Sequence, residues 1–189
     1  MTGTQILAQA ELNAEDLEVD EAQGLALINE CLLQDIGLDA GIITSQVIDA
    51  SADTWHTLND TIVDIFEITL AGSTTPYYGS MYGELYEGIF DIRDNMIRFP
   101  AAGTYTIYGK CLPDPMTSLS QTPSVNALWH YPISVYVAFR SLWIEDEDDV
   151  TAPKLQAKYF AMKENVMSRL DTLKPTTRRP PVMKRRAWY

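Results

Sequence analysis

Two histidines, two cysteines, one acidic run, one tyrosine cluster and one basic terminus are where this 189-residue sequence could carry chemistry. His56 and His130 each stand alone among apolar or hydroxyl residues, outside any HExxH, HxE or HxxxH spacing. Isolated histidines of this kind read as structural rather than as ligands or bases. Cys31 and Cys111 lie far apart with no CxxC pattern, so two reduced thiols are expected rather than a disulfide or a zinc site. No GxGxxG, GxxxxGK[ST] or GxSxG occurs, and Gly79-Ser80-Met81-Tyr82-Gly83 puts its serine at the wrong place for a nucleophile elbow. Glu145-Asp146-Glu147-Asp148-Asp149 could chelate a hard cation but lacks the alternation and central glycine of a calcium loop. It reads as a solvated turn, with Asp148 and Asp149 placed where the next helix dipole favours negative charge. The sequence therefore predicts no catalytic, cofactor-binding or metal site, no cofactor, and a non-enzymatic protein.

Charge is distributed far from evenly. Residues 1–92 hold 17 acids and no Lys or Arg, residues 93–173 hold 9 acids and 8 bases, and residues 174–189 hold six bases and no acid. These sum to −17 − 1 + 6 = −12, an acidic body with a basic tail. Such a body repels nucleic acid, whereas the tail seeks something acidic. Tyr77, Tyr78, Tyr82 and Tyr86 could stack bases, but a base-stacking platform needs nearby cations, and residues 1–92 supply none. A protein interface, where tyrosine is favoured and charge is sparse, is the expectation for these four.

The tail, from Arg178 to Tyr189, has prolines and no apolar face, so it is not expected to fold alone. It could serve as a solubilising end, as a salt-sensitive DNA contact, or as a docking segment for a partner. Trp188 and Tyr189 favour docking, because a purely electrostatic tail has no use for two terminal aromatics.

The elements that would carry these residues follow from periodicity. Thr4 to Leu12 predicts a short helix. Asp20 and Glu21 start a second, with Leu25, Ile28, Leu32 and Ile36 as its stripe and Gly37 as its stop. From Gly41 to about Leu112 the pattern changes to short β-branched runs, and Met96–Phe99 with Thr104–Tyr108 predicts a hairpin across Pro100–Gly103. Leu112 to Ser124, with Pro113, Pro115 and Pro123, reads as a linker or ordered loop. Asn126 to Trp143 is long enough for a buried helix with Pro132 in its first turns. An amphipathic helix follows, with Leu155, Tyr159, Met162, Val166 and Leu170 on one face and Lys154, Lys158, Lys163 and Glu164 on the other.

The fold expected from this order is mainly α with a β insertion. Two N-terminal and two C-terminal helices form a bundle, interrupted by a small antiparallel β region at about 41–112, with an extended tail at 174–189. No apolar run is long enough to span a bilayer and no secretory signal opens the chain, so it reads as cytosolic at birth.

The order of pieces resembles the head–tail connector adaptors of tailed bacteriophages, the ring subunits bound beneath the portal. The likeness rests on Asp20-Glu21-Ala22 leading into Leu27-Ile28-Asn29-Glu30. It continues in Met96-Ile97-Arg98-Phe99-Pro100 followed by Gly103-Thr104-Tyr105-Thr106-Ile107, and in the helix pair at Leu128–Phe139 and Tyr159–Leu170. It covers about residues 4–173, in pattern rather than through one diagnostic motif.

The resemblance implies a structural virion protein, assembled in the host bacterial cytoplasm and placed at the neck, in a ring expected to hold twelve copies. Its partners would be the portal protein, further copies of itself, a stopper, nozzle or tail protein below, and genomic DNA passing through the channel without specific binding. It also implies portal docking through the C-terminal extension, here Arg178, Arg179, Lys184, Arg185, Arg186, Trp188 and Tyr189. The competing expectations are another neck protein, such as a stopper or tail terminator, or a packaging accessory that binds DNA through its tail.

Overall fold

The computed structural model describes residues 1–14, 17–59, 62–73, 78–79 and 88–173. Four α-helices and seven strands are present among them: α1 (Gly3–Asn13), α2 (Glu21–Glu30), β1 (Ile43–Ala50), β2 (Trp55–Thr57), β3 (Asp64–Leu70), β4 (Tyr78–Gly79), β5 (Ile89–Arg93), β6 (Met96–Arg98), β7 (Gly103–Lys110), α3 (His130–Glu145) and α4 (Ala152–Leu173).

Helices α1, α2 and α4 begin where a side chain satisfies their first amides. Thr2 and Gln5 form a reciprocal capping box on α1. The Asp20 carboxylate accepts from Ala22 N and Gln23 N at 3.0 and 3.1 Å. Asp149 accepts from Thr151 N and Ala152 N at 2.6 and 2.7 Å, so the last acid of the run is a helix cap. α3 is the central helix. Ile133, Val135, Tyr136, Val137, Ala138 and Phe139 are buried on all sides of it, as expected for a helix surrounded by others. Gly24 of α2 lets α1 approach closely, since a Cβ there would lie 2.6 Å from Leu7.

The second helix departs from its expected form. Its stripe is buried as predicted at Ile28, Leu32 and Ile36, with Leu25 half-buried. From Cys31 to Ile36, however, the chain widens into a π-helix before Gly37, at φ +43°, turns it into a short 3₁₀ segment.

The expected fold class, a mainly helical bundle with a small β insertion, is incorrect: the fold is α+β. β1, β7 and β3 form one antiparallel sheet in the order β1-β7-β3. β2, β6 and β5 form a second, extended by a two-residue parallel pairing of β4 with β5. Between them lies a hydrophobic core separate from that of the helices, built on Ile48, Ile68, Ile97, Phe99, Tyr105 and Ile107. Phe99 stacks on Tyr105 with ring centroids 3.7 Å apart. The strands bury their own apolar faces against each other, so the β region is a second layered unit rather than an appendage of the bundle.

The predicted hairpin is also corrected. β6 and β7 lie in different sheets, and the chain crosses between them at Pro100–Gly103. The hairpin is β5–β6, closed by Asp94 and Asn95, both at positive φ as a two-residue primed turn requires. The proline-containing connection resembled a turn locally, but nothing local specifies which strand a β-run will pair with.

The loop at 112–124 is tied to the helices from two sides. Asn29 on α2 donates to Met116 O at 2.9 Å and accepts from Met116 N at 2.7 Å, replacing a strand-like partner for that backbone. Thr4 N and Gly3 N bond Leu119 O and Gln121 O at the other side of the loop. Changing Asn29→Ala is expected to cost about 1–3 kcal/mol, the desolvation of two unpartnered backbone groups, measurable by urea unfolding.

Candidate functional site

The densest group of polar side chains lies where α2 and its π continuation meet α3 and α4. Glu30 Oε1 accepts from Tyr136 OH at 2.8 Å and pairs with Arg140 Nη2 at 2.9 Å. Cys31 Sγ sits 3.8 Å from Tyr159 OH, and Lys163 Nζ reaches Asp35 O at 2.6 Å, Asp35 Oδ1 at 2.8 Å and Asp39 Oδ2 at 3.5 Å. The π-turn brings this about: it presents the Asp35 carbonyl near its end to α4, and the Lys163 ammonium caps it. Lys163, predicted on the solvated face of α4, is instead half-buried in these contacts.

The titration of this group runs against catalysis. Burial pushes the Cys31 thiol well above its usual range, outweighing the contact with Tyr159. Burial also raises the phenols of Tyr136 and Tyr159, and the neighbouring Glu30 and Asp35 carboxylates add to it. A protonated buried thiol and two protonated phenols are neither nucleophiles nor bases near neutral pH. The group staples three helices. Cys31 is buried and Cys111 partly exposed, both reduced. A disulfide-based thiol reagent is expected to modify one cysteine in the native protein and the second only after denaturation. The Cys111→Ser protein is expected to show no fast reaction at all.

The histidines take structural places. His56 Nε2 accepts from Ser51 N at 3.2 Å. His130 is buried, and Met1 N lies 2.7 Å from its Nδ1. Burial first, and then the ammonium, hold His130 below its usual value. Among the described residues no cluster of His, Cys, Asp and Glu is arranged to hold a metal ion, and no helix is long and apolar enough to cross a membrane.

Surface charge and sheet edges remain as the features able to meet a partner. Arg93 and Arg98 pair with Asp91, Arg98 also with Asp53, Lys110 with Asp64, Arg140 with Glu30, and Lys163 with Asp35. Arg98 also lies over the Trp55 ring, at 4.8 Å. The basic residues of the body are thus largely engaged by its own acids, and acids remain in excess. The outer face of the β1-β7-β3 sheet exposes Ile43, Val47 and, at the bulge of β3, Phe66.

Of the residues predicted to bind partners, Tyr78 falls on β4, the edge strand of the second sheet. Tyr77, Tyr82 and Tyr86 lie outside the described residues, as do Arg178, Arg179, Lys184, Arg185, Arg186, Trp188 and Tyr189. Sequence reasoning did not anticipate the β1 edge, and no polar–apolar alternation marks it, since Ile43 and Val47 are exposed alongside Ser45 and Asp49. No protein-family model matches the chain, and no curated protein matches it.

Proposed function

We propose that the chain is a structural subunit of a tailed-bacteriophage neck: an adaptor that assembles as a ring on the portal and extends the DNA channel towards a stopper, nozzle or tail protein. The observation that carries this reading is the segregation of charge. The body has a large excess of acid, and most of its cations are held in ion pairs with its own carboxylates. A ring of such bodies would give DNA phosphates few cations to hold against a large excess of acid, so the duplex would slide rather than bind. The six cations of residues 174–189 and the terminal Trp188-Tyr189 supply what a docking segment needs, and many copies in a ring would add avidity. In this reading the protein is not an enzyme, takes no cofactor, and works in the virion after assembly in the host cytoplasm.

Two rivals make different demands. A stopper or tail terminator of the β-barrel kind would not be expected to devote four helices and a separate helical core to its fold. A packaging accessory would bind DNA through the tail, and six neutralised phosphates would give a log–log salt slope of about −5.

Electron microscopy of the purified full chain mixed with portal rings tests the proposal. A second ring stacked coaxially under the portal is the expected result. Undecorated portals, together with steep salt-dependent binding of the chain to duplex DNA, would replace the adaptor with the packaging accessory.

A further inference from the structure

Among the described residues, no strand pairs with the outer edge of β1 in the β1-β7-β3 sheet. Cys111 N donates to Ile42 O at 3.1 Å, which sets the phase of the β1–β7 ladder. In the register Ile43↔Lys110 to Ala50↔Gly103, the bonded pairs are then Thr44/Gly109, Gln46/Ile107, Ile48/Tyr105 and Ala50/Gly103. The amides and carbonyls of Ile43, Ser45, Val47 and Asp49 therefore point away from β7, out of the sheet. The β7–β3 side agrees with this phase, since Lys110 O and Thr104 O accept from Val63 N and Ala71 N across the other face of β7. The side chains of the same four β1 residues are exposed, with Ile43 at 58% and Val47 at 62%. β1 is eight residues long and carries no proline, no lysine and one acid. Among the described residues no proline, lysine, bulge or added strand blunts this edge, which leaves it open to another strand.

We propose that this edge is the docking site of residues 182–189 of the same chain, which add to it as a further strand. Three observations choose this occupant. The first is where α4 delivers the chain: Leu170, in its last turn, lies 3.8 Å from the position of a Cβ on Gly41, two residues before β1 begins. The second is length. Val182-Met183-Lys184-Arg185-Arg186-Ala187-Trp188-Tyr189 follows the last proline, contains none, and matches the eight residues of β1. The intervening residues 174–181 reach about 26–29 Å when extended, enough to traverse a strand of about 26 Å, so either direction of pairing is accessible. The third is charge. Residues 174–189 hold six cations and no acid, while β1 carries Asp49 and no cation, and Ile43 and Val47 offer apolar surface to an alternating Val182, Lys184, Arg186 and Trp188.

This inference goes beyond the adaptor reading and does not depend on it. It gives the tail a resting place on its own subunit, from which any partner must displace it.

Amide hydrogen exchange on the full chain at low salt tests the pairing. The wild type is compared with the full-length Lys184→Glu/Arg185→Glu/Arg186→Glu protein, which keeps every residue of both hydrophobic cores. The amides of Ser45 and Val47 are expected to exchange at least tenfold more slowly in the wild type, at every protein concentration. The amides of Thr44 and Gln46, bonded to β7, are expected to be equal in both proteins and report that the sheet is intact. Trp188→Ala is expected to lose part of the protection. Equal exchange of Ser45 and Val47 in the two proteins would overturn the proposal. So would protection that grows with concentration, which would assign the edge to a second copy. Because this readout contains no portal, it can fail while portal binding stands, and the reverse.

Discussion

Tyr159→Asp is expected to leave no folded protein at room temperature. Tyr159 is fully buried, packs at 5.3 and 5.8 Å from the rings of Tyr136 and Phe139, and places its hydroxyl beside Cys31 at the π-turn. Losing a large buried aromatic costs about 3–5 kcal/mol in cavity and transfer terms. The aspartate would add the burial of a carboxylate within reach of Asp35, which would repel rather than stabilise it. Together these match or exceed the ~5–15 kcal/mol that holds a domain of this size. Loss of the cooperative thermal transition in circular dichroism is the predicted readout. Leu155→Asp and Val166→Asp, at the same interface, are expected to lower Tm by many degrees, with a smaller effect because each removes less packed area. A normal transition in any of the three would mean that the predicted stripe does not face the core.

Removing residues 174–189 is expected to have the opposite signature: an intact fold and a complete loss of portal binding. Among the described residues the two hydrophobic cores are complete in residues up to Leu170, and these are retained in the truncated chain. Net charge falls from −12 to −18, since six bases and no acids are lost. The remaining body would offer an acidic partner nothing but repulsion. Charge-assisted contacts made by arginine and buried aromatic anchors carry most of the energy of such interfaces, which is why the effect should be all or none rather than graded. Co-sedimentation with portal rings, with circular dichroism on the same sample, reads both quantities. Binding that survives the deletion would remove the tail from the docking role and leave the sheet faces of the body to account for it.

What could be read from residues alone were the features governed by neighbours in sequence. Asp20, Gly37 and the stripe at Ile28, Leu32 and Ile36 identified a helix because capping and helical burial depend on residues within a few positions of one another. The same holds for α4, for the buried helix α3 and for the acidic turn that caps α4. Charge segregation, on which the functional reading depends, is a property of composition and needed no coordinates.

The tertiary structure decided everything that depends on which distant segments meet. Alternation marked β7 as a strand but could not say that its neighbours are β1 and β3 rather than β6. Pairing is set by burial of one sheet face against another, and that is a non-local quantity. The separate β core, which makes the fold α+β, arises for the same reason, as does the π-turn that hands Asp35 to Lys163. The unpaired edge of β1 belongs to this second class. Its residues are unexceptional in the sequence, and only the order β1-β7-β3 leaves their outward amides and carbonyls without a neighbour.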